Sequence, residues 1–443
     1  VPLTDEELKD YIKKDSIQTL RKSETYLDSI DGVNNKFKIL DPVMGYSYKN
    51  SYDKWQVSYN GPFPKVNFNT VQGWNVGAGL SYFSWKDDNR TNWFAANLNA
   101  NYGIAEDRLR FTGSISRNFN RTNRLRLGLY GGSRVQQFNG AQPISELVNT
   151  VATLFFERNY MKVYDLTYAG GTYSQELFNG LRLFTNFSYQ ERKPLFNNTD
   201  YVTIPNDDVD YTSNNPLAPG DYNNAGVMEH SIFKSTLTAD ITFGQKYMTY
   251  PDGKYNLGNE KYPALSLTFE NGLGGSIDGY DYSQLSARLF QRVNTGNKGD
   301  LVYNLKGGTF FNGDDISFVD YQHFNGNQTR IGTSGSYTSV FNLLPYYDLS
   351  TNKSYFEGHL EHDFKGWILG KIPGINQLNF NLVAGAHLLS IDGTKPYQEL
   401  SIGIDNLGWG KFRFLRLDYV KSYYNGSSEG AFIFGLKFLN FID

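Results

Sequence analysis

The sequence predicts an all-β protein, a transmembrane antiparallel up-and-down β-barrel of about 16 strands that follows a short N-terminal helical segment. Apolar and polar residues alternate along most of the 443 residues, which is the period of a strand with two different faces. Aromatic residues are frequent, with 33 Tyr, 32 Phe and 6 Trp, and they favour strands and membrane interfaces. The mean hydropathy is -0.49, and no apolar run approaches the roughly 18 residues of a spanning helix. A helical membrane protein is therefore excluded.

Charge and cysteine content exclude further classes of function. The chain carries 42 basic and 45 acidic residues, so it has no overall basic field that would attract nucleic acid. It has no cysteine, which excludes disulfides, thiol nucleophiles and Cys-ligated zinc.

The first 45 residues differ in pattern from the rest. Thr4 is followed three positions later by Glu7, the spacing of a helix capping box, and charged residues dominate the following segment. We therefore predict a periplasmic helical and linker segment over residues 1–45 and an outer-membrane β-barrel over 46–443. The chain starts at Val1 without a charged-then-apolar leader, so we expect a processed or truncated chain.

Alternation defines the predicted strands. In GWNVGAGLSYF, Trp74, Val76, Ala78, Leu80 and Tyr82 share one face, and the other face carries Asn, Gly and Ser. A soluble propeller or solenoid is the alternative. Against it, the apolar faces contain small residues, aromatic residues recur near segment ends, and the 40- to 50-residue repeat typical of a propeller is not found.

Counting these segments predicts the topology. Strands are expected near residues 46–60, 73–86, 91–103, 107–119, 124–136, 162–175, 180–192, 230–244, 263–274, 279–294, 299–312, 354–365, 376–390, 397–405, 412–424 and 429–439. An even count is usual for bacterial barrels. It places the connections 61–72, 137–161, 193–229 and 313–353 together on the outer side. The segment 143–158 has helical spacing after Pro143, so we predict a helix there that caps the barrel mouth, docks a partner or packs on the rim.

The seam of the barrel is predicted between its first and last strands. The terminal segment AFIFGLKFLNFID alternates aromatic and aliphatic residues, the form that barrel-insertion machinery reads in an unfolded substrate; an ordinary terminal strand is the alternative. The residues assigned to this seam are Trp55, Val57, Tyr59, Phe432, Phe434, Leu436 and Phe438.

The segments NKFKILDPVMGYSYKNSYDKWQVSYNGP, FNTVQGWNVGAGLSYF, QKYMTYPDGKYNLG and GIDNLGWGKFRFLRLDYVKS resemble the barrel portion of an uncharacterised outer-membrane family of Bacteroidota. This resemblance implies an N-terminal carboxypeptidase-regulatory-like domain upstream of the barrel.

A remoter resemblance concerns the last third of the chain. The order of a long loop over 313–353, then EGHLEHDF, LNFNLVAGAHLL, ELSIGIDNLG, FRFLRLDYV and FIFGLKF, is similar to the last five strands of the BamA-type surface-antigen superfamily. In that superfamily the loop after strand eleven folds into the lumen and carries a Val-Arg-Gly-Tyr motif. Here the loop reads NQTRIGTSGS, so only Arg330 corresponds, and the Gly-aromatic pair is absent.

Four polar residues alternate along one predicted strand, Glu357, His359, Glu361 and Asp363. Alternate positions face one side, so all four are expected in the lumen. There they could hold a divalent ion, or form a salt-bridged wall that pairs with Arg330. We favour the wall, and no metal or cofactor is predicted.

Other candidate sites have weaker signals. Asp207, Asp208 and Asp210 could bind calcium, although this loop, 206–210, lacks the Gly and Glu of an EF-hand, which favours a plain surface loop. The histidines are at 230, 323, 359, 362 and 387, and none lies in a G-x-S-x-G elbow. We therefore predict no enzyme, and His387, between apolar residues, is expected near the membrane interface.

The predicted function is that of a non-enzymatic, BamA-like outer-membrane protein that assists assembly or translocation of proteins. A solute channel and a membrane anchor for a missing periplasmic domain are the alternatives. The expected partners are outer-membrane lipid and lipopolysaccharide and other outer-membrane proteins or lipoproteins, and nucleic acid is not expected.

Overall fold

The computed structural model describes residues 4–206, 208–251, 253–258, 261–333 and 336–437. Five α-helices interrupt a mostly β chain: α1 (Asp5–Lys22), α2 (Glu24–Asn34), α3 (Asp41–Met44), α4 (Glu146–Phe156) and α5 (Gly366–Leu369). Among the described residues, no helix has both the length and the apolar character needed to cross a membrane.

The strands follow one another at short intervals from Gly45 onward. They are β1 (Gly45–Asn50), β2 (Trp55–Asn60), β3 (Val66–Asn69), β4 (Gly73–Trp85), β5 (Trp93–Gly103), β6 (Arg108–Asn118), β7 (Arg126–Gln137), β8 (Val163–Phe178), β9 (Leu181–Lys193), β10 (His230–Thr242), β11 (Tyr247–Tyr250), β12 (Gly253–Asn256), β13 (Ala264–Leu273), β14 (Tyr282–Asn294), β15 (Asp300–Phe311), β16 (Ile331–Gly332), β17 (Tyr355–Asp363), β18 (Asn381–Ile391), β19 (Tyr397–Trp409), β20 (Phe412–Tyr424) and β21 (Ser427–Leu436).

Nineteen of these strands form one sheet, and β11 and β12 form a separate hairpin. Neighbours in the sheet are antiparallel, except that β16 pairs in parallel with β21. Residues between β15 and β17 contact strands from β9 to β21, so the sheet curls around that connection. Between β1 and β21, over residues 45–50 and 427–436, no backbone pairing occurs, so closure of the barrel is not confirmed.

The predicted count of about sixteen strands is not confirmed either, and the N-terminal part explains much of the difference. Residues 46–60 do not form one strand. They form the hairpin β1–β2, in which Tyr48 is opposite Val57. The chain reverses direction over residues 51–54, where Lys54 has a φ of 59°. The short strands β3 and β16 add to the count.

The two faces of the sheet have opposite polarity, as the alternation predicted. On β4, Leu80 points outward and is 52% exposed, whereas Asn75 points inward and is 5% exposed. The same inversion recurs along the sheet, where outward Leu, Phe and Tyr side chains are exposed and inward Asn, Glu and Arg side chains are buried. A water-soluble protein would bury the apolar set. This arrangement is that of a strand protein with an apolar outer band and a polar interior.

The N-terminal helices attach to the first hairpin. The predicted capping box is confirmed, because Glu7 N donates to Thr4 Oγ1 and Thr4 N donates to the Glu7 carboxylate. Asp31 of α2 accepts hydrogen bonds from the backbone and hydroxyl of Ser51, at 2.5 and 2.8 Å. Asn35, which follows α2, binds the backbone of Lys49.

The long connections meet at one end of the sheet. Thr70 donates to Asn197 at 2.8 Å, and Asn139 donates to Asn325 at 3.2 Å. The predicted helix within 143–158 is confirmed as α4, which packs against β3. We call this set of connections, 61–72, 138–162, 194–229 and 312–354, the loop end of the sheet.

Candidate functional site

The long connection between β15 and β17 lies inside the curled sheet, and we call residues 313–353 the interior loop. Its apolar side chains are buried: Phe324, Phe341 and Leu344 are at most 2% exposed. They pack with Tyr355, Leu389 and Tyr397 from the strands. The interior of the sheet is therefore filled by the chain itself, and polar contacts fix the loop at several points.

The first polar anchor is Asp320. Its carboxylate accepts two bonds from the Arg192 guanidinium, at 2.5 and 3.0 Å, and one from Lys234 Nζ at 2.9 Å. Tyr282 donates its hydroxyl to the same carboxylate at 3.0 Å. Glu270 accepts from Lys234 at 2.8 Å. Two cations and two carboxylates balance in a buried cluster that joins the loop to β9, β10, β13 and β14.

The second anchor surrounds Arg416 on β20. The Arg416 guanidinium donates to Glu361 at 2.9 Å and to Asp418 at 2.7 and 2.8 Å. Tyr337 of the interior loop places its ring over the guanidinium, 4.1 Å from the ring centroid to Cζ. The Tyr337 backbone N–H also donates to Glu361. Arg416 is 2% exposed, so this is a buried ion cluster covered by a loop aromatic.

The third anchor is Glu399 on β19, which is fully buried. Its carboxylate accepts the backbone N–H groups of Asn342 and Leu343, both at 2.8 Å, and the hydroxyl of Tyr397 at 2.7 Å. A strand side chain thus satisfies two backbone donors of the loop.

The predicted polar row on β17 points inward, as the alternation indicated. Glu357 accepts a hydrogen bond from His359 Nε2 at 2.8 Å. The Nδ1 atoms of His359 and His387 are 2.8 Å apart, so one ring donates to the other. Both ring nitrogens of His359 therefore have partners. His387 is 3% exposed and faces inward, so the expectation that it touches the membrane interface is wrong. Asp363 is half-buried at the opposite end of β17 from Tyr355.

A metal ion fits this row poorly. Across the part of the chain that the structure describes, no group of three or more His, Asp and Glu side chains has the geometry to hold a metal ion. The candidate calcium site in the acidic loop 206–210 is tested only in part, because Asp207 lies outside the described residues. Asp208 and Asp210 are exposed.

Arg330 does not pair with the row on β17. Its guanidinium binds Glu429 on β21 at 2.6 Å, and Arg416 supplies the cation for Glu361 instead. The Arg330 carbonyl accepts the Phe434 N–H at 3.0 Å. This bond begins the parallel pairing in which Ile331 lies opposite Phe434.

The predicted seam is wrong on one side. Trp55, Val57 and Tyr59 lie on β2, which is paired with β1 on one edge and with β4 on the other. The first strand is β1, because residues 46–60 form a hairpin. On the other side, Phe432, Phe434 and Leu436 do lie on the last described strand, and Phe438 is outside the described residues.

The loop end contains a buried amine outside the strands. Lys162 precedes β8, is 5% exposed, and donates to Thr212 Oγ1 at 2.6 Å. Among the described residues no carboxylate offsets its charge, and burial lowers the pKa of Lys162 to about 7. The folded protein therefore binds this proton less tightly than the unfolded chain does.

We expect the stability of the protein to rise between about pH 7 and the ordinary lysine value of 10.5, because the unfolded state binds more protons in that interval. Lys162→Met removes this contribution and should raise the melting temperature at pH 7 by at least about 2 °C. Melting in detergent micelles from pH 6.5 to 10.5 measures both effects. Lys353→Met, at an exposed lysine of the loop end, is the control. If the melting temperature depends on pH equally in the wild type and in Lys162→Met, a lowered pKa of Lys162 is contradicted.

Sequence reasoning missed three residues of this site: Arg416, Glu399 and His387. All three are at most 3% exposed on the inward face of a strand, and the alternation of polar and apolar residues along these strands could have indicated that face. Their partners are distant in sequence, and no local spacing indicates them.

Comparison with known proteins gives one family and several solved structures. Residues 40–404 match the family described as "Family of unknown function (DUF5686) C-terminal domain", and no curated protein matches the chain. BamA from Haemophilus ducreyi lacking POTRA domains 1–3 is similar with a TM-score of 0.44 and 11% identity, over 86% of this chain and 69% of that chain. CdiB from Acinetobacter baumannii has a TM-score of 0.37 and 12% identity, over 88% and 59%. A mutant of the Rh. blastica porin has a TM-score of 0.31 and 10% identity, over 82% and 89%.

Proposed function

The chain belongs to the DUF5686 C-terminal domain family, and on that premise we propose that it is a non-enzymatic outer-membrane β-barrel protein that assists assembly or translocation of other proteins. The working part is the edge of β21, where the interior loop supplies a strand that a client strand replaces. The single observation that carries the proposal is the parallel pairing of β16 with β21.

The inverted polarity of the sheet supports a position in a membrane. Strands of 10 to 13 residues, such as β13 and β4, have the length needed to cross a hydrocarbon core, which takes about 9–11 tilted residues. Apolar outer faces would contact lipid, and lipopolysaccharide would surround the loop end. Barrels of this kind occur in outer membranes, so we place the protein in the bacterial outer membrane.

The filled interior supports an assembly role over an open solute channel. The anchors at Asp320, Arg416 and Glu399 hold the interior loop across the space that a channel would need. The edge of β21 is a row of backbone groups that can pair with another strand. Because β16 covers only two residues of that edge, a longer client strand would form more hydrogen bonds there.

The remaining parts of the proposal concern the context of the chain. We propose a Bacteroidota source and a carboxypeptidase-regulatory-like domain upstream of the periplasmic segment 1–45. Other outer-membrane proteins or lipoproteins are the proposed partners. Barrel assembly would need no cofactor.

Locking β16 to β21 should stop the activity. The chain has no cysteine, so Ile331→Cys with Phe434→Cys creates a single disulfide between two residues opposite each other in the ladder. Paired strands have Cα separations that suit a disulfide. We expect the oxidised variant in lipid vesicles to lose most of its acceleration of folding of an added unfolded outer-membrane barrel, and dithiothreitol to restore it.

The matched control places the disulfide where no movement is proposed. Ile402 and Tyr419 are opposite each other on β19 and β20, and their cysteine pair should leave the folding rate unchanged. Full activity of the oxidised Ile331–Phe434 variant would refute the seam mechanism. A stable single-channel conductance in the wild type would favour a solute channel instead.

A further inference from the structure

A polar cavity of about 260 Å³ lies between β3–β8 and the start of α4. Eight of its lining side chains are Asn or Gln, six of them from residues 67 to 101. Asn and Gln are normally surface residues. Yet Asn69, Gln72, Asn75 and Gln137 are each at most 5% exposed.

Four of these carboxamides form an ordered chain of hydrogen bonds. Asn69 donates to Gln72 at 3.2 Å, Gln72 donates to Asn101 at 2.9 Å, and Asn101 donates to Asn75 at 3.2 Å. The amide oxygens of Gln72, Asn101 and Asn75 are thereby oriented toward their donors, and Asn69 Oδ1 accepts the backbone N–H groups of Val71 and Gln72. The chain ends at the Asn75 amide group, whose N–H donors are not used by any described residue.

Other polar atoms of the cavity also lack partners among the described residues. Asn99 accepts from Lys65 Nζ at 3.0 Å, and its own amide donates to nothing. Gln137 Oε1 and Ser133 Oγ are buried without a hydrogen bond. Buried polar groups of native proteins are nearly always paired. The cavity therefore presents donors at Asn75 and Asn99 that a ligand could satisfy, and Gln137 Oε1 and Ser133 Oγ lie unpaired within its wall.

Three charged side chains line the cavity: Arg110, Arg134 and Glu146. Arg110 donates to Glu106 at 2.7 Å and to Asp165 at 2.8 Å. Arg134 stacks on Tyr168, with Cζ 5.0 Å from the ring centroid. Arg110 is neutralised by Glu106 and Asp165, and Arg134 and Glu146 carry opposite charges. The lining therefore has no excess of either sign, which favours a neutral ligand.

We propose that this cavity binds a neutral carbohydrate. A sugar hydroxyl both donates and accepts, which matches the mixed donors and acceptors of carboxamides. A sugar ring also has a face of C–H groups, and Phe68, Val135, Met161 and Val163 supply apolar walls. The cavity belongs to the loop end, and Gln142 and Glu146 beside it are exposed. A ligand would enter there.

The test uses the full chain in micelles of a detergent without a sugar headgroup. Isothermal titration with glucose, galactose, N-acetylglucosamine and their disaccharides should detect binding of at least one. A second arm measures binding of the protein to phospholipid vesicles with and without lipopolysaccharide, because the sugar could be free or linked to a lipid. Asn99→Ala and Thr112→Val each remove a polar group from the wall. Each should weaken binding about fivefold to tenfold, the effect of one hydrogen bond.

Asn97→Ala is the matched control, since Asn97 is exposed on the same strand, points to the same side and does not line the cavity. Heat-modifiable mobility on gels verifies that each variant is folded. The proposal fails if no sugar and no lipopolysaccharide binds, or if Asn97→Ala weakens binding as much as Asn99→Ala does. Tighter binding of a neutral tripeptide such as Ala-Asn-Ala than of every sugar would overturn it in favour of a peptide.

Discussion

Asp320→Ala is expected to lower the free energy of unfolding by about 3–5 kcal/mol, the cost of removing one partner from a buried ion cluster. Asp320 is 6% exposed, and Arg192 beside it is 2% exposed. Without the carboxylate, the charges of Arg192 and Lys234 face only Glu270. The Arg192 side chain is 2% exposed and that of Lys234 is 18% exposed, so most of the excess charge remains buried.

The same substitution should release the interior loop. Asp320 is held by β9, β10 and β14 through Arg192, Lys234 and Tyr282. With these bonds gone, we expect faster proteolysis within 313–353 and the appearance of ion conductance in planar bilayers. Both measurements report on the loop directly and do not depend on the proposed activity.

Asp314→Ala is the control for this prediction. Asp314 lies in the same loop and is exposed, so its removal should change stability by no more than about 0.5 kcal/mol. Urea unfolding in lipid vesicles compares the two variants. A loss below about 1 kcal/mol for Asp320→Ala, without new conductance, would mean that the cluster does not hold the loop.

The sequence allowed most strands to be located because their signal is local. Each predicted segment from 73–86 onward overlaps one strand, and 73–86 corresponds to β4 within a residue. In a sheet with an apolar outer face and a polar inner face, the polarity of each residue indicates the face on which it lies. The strands can therefore be located from alternation without knowing which residues pair with them. The polarity of the faces followed from the same signal, and so did the inward position of Glu357, His359 and Glu361.

The errors arose where a contact joins distant parts of the chain. The segment 46–60 has weak alternation, and its division into β1 and β2 depends on a turn at Ser51 that is fixed by Asp31 of α2. Pairing of Arg330 with the polar row was expected because both were placed in the lumen. Which arginine reaches Glu361 depends on the registers of the strands from β17 to β20 and on the path of the loop, and no spacing in the sequence encodes either.

Arg416→Met is the second substitution with a large expected effect. It leaves Glu361 and Asp418 as buried carboxylates that lose the Arg416 cation, and Tyr337 loses the cation under its ring. Asp418 is fully buried. We expect a loss of about 3–5 kcal/mol in the free energy of unfolding, measured by urea unfolding in lipid vesicles.

Arg330→Met distinguishes the two arginines. The pair of Arg330 with Glu429 is partly exposed, with side-chain exposures of 36% and 58%, and such pairs contribute about 0–1 kcal/mol. If Arg416 anchors the loop, Arg416→Met must lower the free energy of unfolding severalfold more than Arg330→Met does. Adding Glu361→Gln and Asp418→Asn to Arg416→Met should restore part of the stability, because no buried charge is then left unpaired. Equal losses for the two arginines, or no recovery in the triple variant, would show that the cluster around Arg416 does not fix the loop by charge.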